Sequence, residues 1–172
     1  MVRALAAIPA KLRKVLAADS HILAIAKKYY RCTDFLYLGR QFNFLIALEG
    51  TLKLKELSYV HAEDYPSAEM KHGPIAMIAP EFPSLFVVPR DAMFDKNMSN
   101  MEEIKARKGP IIAVATAGDT AVAKKADDVI YVPATLDCPT RCSPWYPSKC
   151  WPTRWPSCVV AAWTNPATSP RA

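Results

Sequence analysis

Apolar residues recur at helical spacing through the first thirty positions: Leu5, Ile8, Leu12, Val15 and Leu16, then Ile22, Leu23, Ile25 and Ala26. This pattern predicts helix over 3–30, broken at Asp19-Ser20, with Ser20 capping the second segment. A short apolar run at 35–38 predicts a strand ending at Gly39-Arg40. A long helix is predicted from about 43 to 61, and 65–78 reads as loop or short turns. Then come a second strand at 85–88 between Pro83 and Pro89, and an amphipathic helix over 91–108 stopped by Gly109-Pro110. A third strand at 111–116, a short helix to about 125 and a fourth strand at 129–132 complete the series. Continuously apolar strands alternating with helices argue for a parallel sheet covered on both faces. The predicted architecture is α/β, an open doubly wound parallel sheet in an αβα sandwich, with ligands at the carboxyl ends of its strands.

The pattern breaks at Cys138. All four Trp, seven of the fifteen Pro and four of the five Cys lie from there onward. No helix survives Pro139, Pro144, Pro147, Pro152 and Pro156. The sheet is therefore expected to be incomplete at its C-terminal end, with 138–172 an aberrant, disordered tail. Charge divides at the same place. The net charge is +6, yet residues 1–137 carry 18 basic and 16 acidic side chains; the tail adds Arg141, Lys149, Arg154 and Arg171 and no acid. With no basic stripe interleaved with aromatics in the body, nucleic acid is not an expected partner. No apolar run reaches the ~20 residues of a membrane helix, and Pro9, Lys11, Arg13 and Lys14 spoil a signal peptide. A cytoplasmic location is expected. Cys138, Cys142, Cys150 and Cys158 match no zinc-ligand spacing, so no metal is expected, and no cofactor either.

Candidate chemistry concentrates in 38–78, where charged residues and two histidines interrupt what otherwise reads as core. Burying such groups is costly unless they are paired. Glu49, Lys53 and Glu56 fall at i, i+4 and i+7, on one face of the predicted helix. Leu45, Leu48, Leu52 and Leu54 surround them, which predicts a helix buried on several sides. A carboxylate beside a lysine in a shielded crevice can serve as a general base. The same spacing suits an ion-pair ladder on an exposed helix, and spacing alone does not choose. His72, on the constrained Lys71-His72-Gly73-Pro74 turn, suits proton transfer to a sugar oxygen, or a hydrogen-bonded structural role. His61 is expected to close the helix as a supporting cation, and His21 to be a solvated surface residue.

The run ALEGTLKLKELSYVHAEDYPSAEMKHGPIAMI resembles the second sugar-isomerase (SIS) module of the isomerising glutamine:fructose-6-phosphate aminotransferases. The resemblance covers about 3–137 and is densest over 38–78, departing at Leu45 and Asp64. It implies a helical link over 1–30 and an SIS domain over 31–137. It also implies hexose phosphate ligands, fructose 6-phosphate and glucosamine 6-phosphate. Glu56 aligns with the base that moves a proton between C1 and C2. His72 aligns with a histidine that assists ring opening from across a homodimer interface. Lys53 aligns with a lysine near the base. The family's glutaminase domain and first SIS module, which carries the phosphate-gripping loop, have no counterpart in these residues. Alternative readings are a phosphosugar-binding regulator module and a dimerisation remnant without ligand.

The resemblance also accounts for the tail as an out-of-frame translation. Reverse-translating 163–172 and shifting the frame permits VDQPRNLAKS, the usual C-terminal motif of the family. Trp145-Tyr146 forces Val, Cys150-Trp151 forces Leu, and Trp151-Pro152 and Trp155-Pro156 each force Ala, which permits SVVPLQMLAYQVAVLRG, similar to the family's final helix. The family's C-terminal lysine would then lie under Pro170-Arg171, absent from the protein. A chain without it is expected to be inactive alone and marginally stable.

Overall fold

A computed structural model describes residues 6–17 and 19–134 of the chain. The predicted tail and its cysteines lie outside the described residues. Two helices open the described chain, α1 (Ile8–Leu16) and α2 (Asp19–Tyr29). The two helices are separate as the sequence predicts, but the break precedes Asp19-Ser20: both residues lie inside α2, so Ser20 does not cap it. The remaining elements are β1 (Asp34–Gly39), α3 (Phe42–Ser58), β2 (His61–Pro66), β3 (Ser84–Val88), α4 (Phe94–Ala106), β4 (Ile111–Thr116), α5 (Thr120–Ala123) and β5 (Asp128–Val132). Two 3₁₀ turns, Met70–His72 and Pro74–Met77, lie between β2 and β3.

All strand pairs are parallel and the order is β2-β1-β3-β4-β5. The doubly wound sheet is thus as predicted, with five strands among the described residues rather than four. The missed strand, β2, has the sequence HAEDYP and only Ala62 fully buried. It is an edge strand, so it has no need of a continuous apolar run. Its residues find their register entirely through β1, from Asp34 opposite His61 to Gly39 opposite Pro66. The same strand corrects His61, which does not close the preceding helix.

The period-two alternation of the strands separates two cores. Phe35, Tyr37, Leu85, Val87, Ile112 and Val114 face α2 and α3 through Ile22, Ile25, Tyr29, Ala47 and Leu54. Leu36, Leu38, Phe86, Val88, Ala113 and Ala115 face α4 through Met98, Met101 and Ile104, together with Met70 and Ile78. The result is an αβα sandwich, with β1 and β3 flanking the point where strand order reverses. Helix α2 is also tied to the β5 edge. Tyr29 OH donates to Asp128 at 2.6 Å, Lys28 pairs with the same carboxylate, and His21 Nε2 lies 2.9 Å from the Val129 carbonyl. His21 is therefore exposed but anchored, not freely solvated.

The turn that launches α3 is strained. Gln41 has φ 50° and ψ −121°, and Asn43 N–H donates to the Arg40 carbonyl at 3.0 Å. That is the first central position of a type II′ turn, which glycine occupies without penalty. Gln41→Gly is expected to raise stability by about 1 kcal/mol, measured as an increased urea midpoint at unchanged slope.

Across the carboxyl ends of β3 and β4, Asp119 caps α5 by accepting from the Ala121 and Val122 amides. It also accepts from Arg90 Nη1 at 2.9 Å, with its side chain only 2% exposed. Burial alone would raise its pKa. The Arg90 guanidinium and the two amides outweigh burial and hold it below the usual carboxylate range. A depressed folded pKa adds stability above the unfolded value of about 3.9, lost as pH falls through the folded value. Asp119→Ala is expected to cost about 2 kcal/mol at pH 7, and the gap to wild type should narrow below about pH 4. Urea unfolding at both pH values measures it.

Candidate active site

Helix α3 lies against β1, β2 and β3 along Ala47, Gly50, Thr51 and Leu54, all buried. Its other side is also apolar but faces outward: Phe42, Leu45, Leu48 and Leu52 are all exposed. Among the described residues the expectation of burial on several sides is thus not met, because α3 is an outer-layer helix that touches the sheet along one stripe.

On the outward side, Lys53 Nζ donates to Glu56 Oε2 at 2.8 Å. Hydrogen bonding to Glu56 and its charge raise the Lys53 pKa above its ordinary value, with a smaller contribution from Glu49. The Glu56 side chain is 49% exposed and makes no other hydrogen bond or ion pair among the described residues. The carboxylate is therefore set by one lysine on an apolar surface and remains free to reach outward. Where a second surface covers those leucines, water would leave and the pair would act in a low-dielectric space.

His72 ends the first 3₁₀ turn, with its ring 75% exposed and Nε2 3.6 Å from Glu69 Oε2. Gly73 follows at φ 148°, a conformation that lets the chain reverse directly after the imidazole. The turn is pinned by Met70, fully buried in the core on the α4 side of the sheet. Helix α3 belongs to the opposite side. No hydrogen bond or ion pair joins His72 to Glu56 or Lys53 among the described residues. The structure thus brings Lys53 and Glu56 together and leaves His72 apart. His61, on β2, lies between Asp34 Oδ1 at 3.0 Å and Glu63 Oε1 at 3.6 Å, outside this group.

No cluster of three or more His, Cys, Asp or Glu among the described residues could hold a metal ion, and no described helix is long and apolar enough to cross a membrane. Cys32 is a free thiol whose pKa burial raises. Sequence reasoning missed a polar cluster joining Arg40, Ser67, Asn97 and Asn100. Only the i, i+3 repeat of Asn97 and Asn100 within an amphipathic helix signalled it.

The SIS domain family profile matches residues 28–137, which span the whole sheet. The chain belongs to the SIS domain family. Its SIS fold is close to the C-terminal domain of glucosamine-fructose-6-phosphate aminotransferase from Francisella tularensis. That match has a TM-score of 0.69 and 33% identity, over 90% of this chain and 40% of that one. In sequence it is 47% identical over 138 residues to a glutamine–fructose-6-phosphate aminotransferase [isomerizing] of Bacteroides thetaiotaomicron, covering 80% of this chain and 22% of the relative. It is 48% identical over 132 residues to the protein of the same name from Chlorobaculum tepidum, covering 77% and 22%. The SIS chain therefore spans about a fifth of the length of the curated relatives it matches, and corresponds to part of their SIS region.

Proposed function

We propose that this SIS domain supplies the acid–base face for isomerising a hexose phosphate, as the second SIS module of a cytoplasmic fructose 6-phosphate aminotransferase. Residues 31–137 form the module and 1–30 its helical link. Glu56 moves the proton between C1 and C2 as the amino ketose becomes glucosamine 6-phosphate. Lys53 holds the Glu56 carboxylate in place. His72 assists ring opening at the Glu56 of a second copy, across a homodimer interface that includes the His72 turn. The observation that carries this reading is the Lys53–Glu56 pair on an exposed apolar helix face, a base awaiting a covering surface. The packing of α3 and Met70 on opposite sides of the sheet supports a histidine delivered from another copy.

The phosphate grip and the final helix belong to partners outside residues 31–137: the first SIS module and the in-frame C-terminal segment. The test is to follow deuterium incorporation from solvent into fructose 6-phosphate or glucosamine 6-phosphate, with the chain alone and with those segments supplied. Exchange only in the completed assembly supports the reading. Sugar-phosphate binding without exchange would favour a regulator module, and dimerisation without binding a structural remnant. Sequencing the gene across codons 138–172 tests the shifted frame, which an intact frame with no motif beneath it would refute.

A further inference from the structure

The mechanism above leaves unexplained a polar stripe on α4, otherwise the apolar cover of one sheet face. Asn97, Asn100 and Glu103 recur at three-residue intervals, so they line one side of the helix. All three reach the segment that leads to His72. Asn97 Oδ1 accepts from Ser67 Oγ at 2.8 Å, and Asn100 Nδ2 donates to the Ser67 carbonyl. Glu103 Oε1 pairs with Lys71 Nζ at 2.9 Å. Arg40 Nη2, just beyond β1, approaches Asn100 Oδ1 at 3.5 Å, and the Ser67 amide donates to the Gly39 carbonyl at 2.9 Å.

Packing alone does not account for these residues. Asn97 and Ser67 are buried to 1% exposure or less, and Asn97 Nδ2, Arg40 Nε and Glu103 Oε2 are buried atoms without a hydrogen-bond partner among the described residues. Desolvating such atoms is unfavourable, and leucine or methionine at 97 and 100 would continue the Met98, Met101 and Ile104 core. What a polar stripe provides that an apolar one does not is registry, since directional hydrogen bonds fix where the partner backbone stands.

We propose that Asn97, Asn100 and Glu103 are positioning residues for His72. They clamp Ser67 and Lys71 at either end of a five-residue segment and so set where the imidazole stands for a second copy's Glu56. The inference rests on the acid–base reading of His72, but its structural half can be measured without it. The ¹⁵N-labelled full chain is compared with Asn100→Ala, Glu103→Ala and Glu103→Gln. Asn100→Ala is expected to speed hydrogen exchange of the Ser67 amide by about tenfold or more. Both alanine variants should lower the His72 amide order parameter from the rigid range near about 0.85 towards about 0.6. Glu103→Gln, which still accepts from Lys71, should restore it, and the Ala113 and Val114 amides in β4 should not change in any variant.

A general loss of stability would move the β4 amides too, and that pattern overturns the proposal. So does a rigid His72 in Glu103→Ala, which removes a partly exposed side chain outside the hydrophobic core and decides the matter even if Asn100→Ala fails to fold. In the deuterium assay of the completed assembly, His72→Ala separates the two ideas. Unchanged exchange there, with loosening in the α4 variants, would refute the acid–base reading and leave the positioning role standing.

Discussion

Replacing Glu56 with glutamine is expected to slow C1/C2 proton exchange by about 10²–10⁴-fold in the completed assembly, the usual contribution of a positioned general base. Glutamine keeps the length and shape of the side chain and can still accept from Lys53, but it cannot take a proton. Glu56 is half exposed and its bond to Lys53 is an i, i+3 surface pair, so stability should change by less than about 0.5 kcal/mol. A loss of exchange at unchanged stability is therefore a chemical effect. A second signature accompanies it. The Glu56 carboxylate is the main cause of the raised Lys53 pKa, so the variant's lysine should titrate closer to its ordinary value, observable by NMR of the Lys53 Cε protons. Undiminished turnover in Glu56→Gln would end the isomerase reading of this residue.

Gly39→Ala should be the most destabilising single-methyl change near the site, by about 3 kcal/mol. A methyl group at Gly39 would stand 2.4 Å from the Asn43 carbonyl oxygen, 2.5 Å from its carbon and 2.7 Å from Phe44 N. These are backbone atoms of the first turn of α3, so no rotamer relieves the contact. Either β1 or α3 must shift. Ser67 donates its amide to the same Gly39 carbonyl, so the disturbance reaches the His72 segment as well. Thermal unfolding should show a midpoint lowered by roughly 10 °C. Proton exchange in the completed assembly should fall too, although no acid–base group has been altered. A melting curve that overlays wild type would refute the close approach.

Three of the strands that were easy to read are buried on both faces: residues 35–38, 85–88 and 111–115 are apolar throughout, with α2 and α3 on one side and α4 and α5 on the other. The fourth, 129–132, lies at the β5 edge and was read from its apolar run although Tyr131 is exposed. β2 escaped because an edge strand can be half polar, and HAEDYP is ordered by pairing with β1 rather than by its own composition. Its existence also moved His61 from a helix end to a sheet edge. The helix over 43–61 was legible as a helix but not in its orientation. Leucines on several sides predict burial on several sides, and only docking on the sheet shows that Leu54 points in while Leu45, Leu48 and Leu52 point out.

At the candidate site, the i, i+3 pairing of Lys53 with Glu56 follows from helical geometry, so residue spacing was enough to place both on one face. The relation of His72 to them was beyond reach of local pattern, because it depends on which side of the sheet each connection takes. The same holds for Asn97, Asn100 and Glu103, whose contacts with Ser67 and Lys71 span about thirty residues of chain.

By itself, the amino-acid order determined the alternation of helix and strand, the parallel sheet and the helix face that joins Lys53 to Glu56. Each of these follows from periodicity within a few neighbouring residues. Tertiary structure alone decided that α3 keeps an apolar side uncovered among the described residues, that His72 and Glu56 stand on segments packed against opposite faces, and that α4 grips the His72 segment. These are consequences of crossover handedness and sheet order, which bring distant residues together through packing that no local pattern encodes.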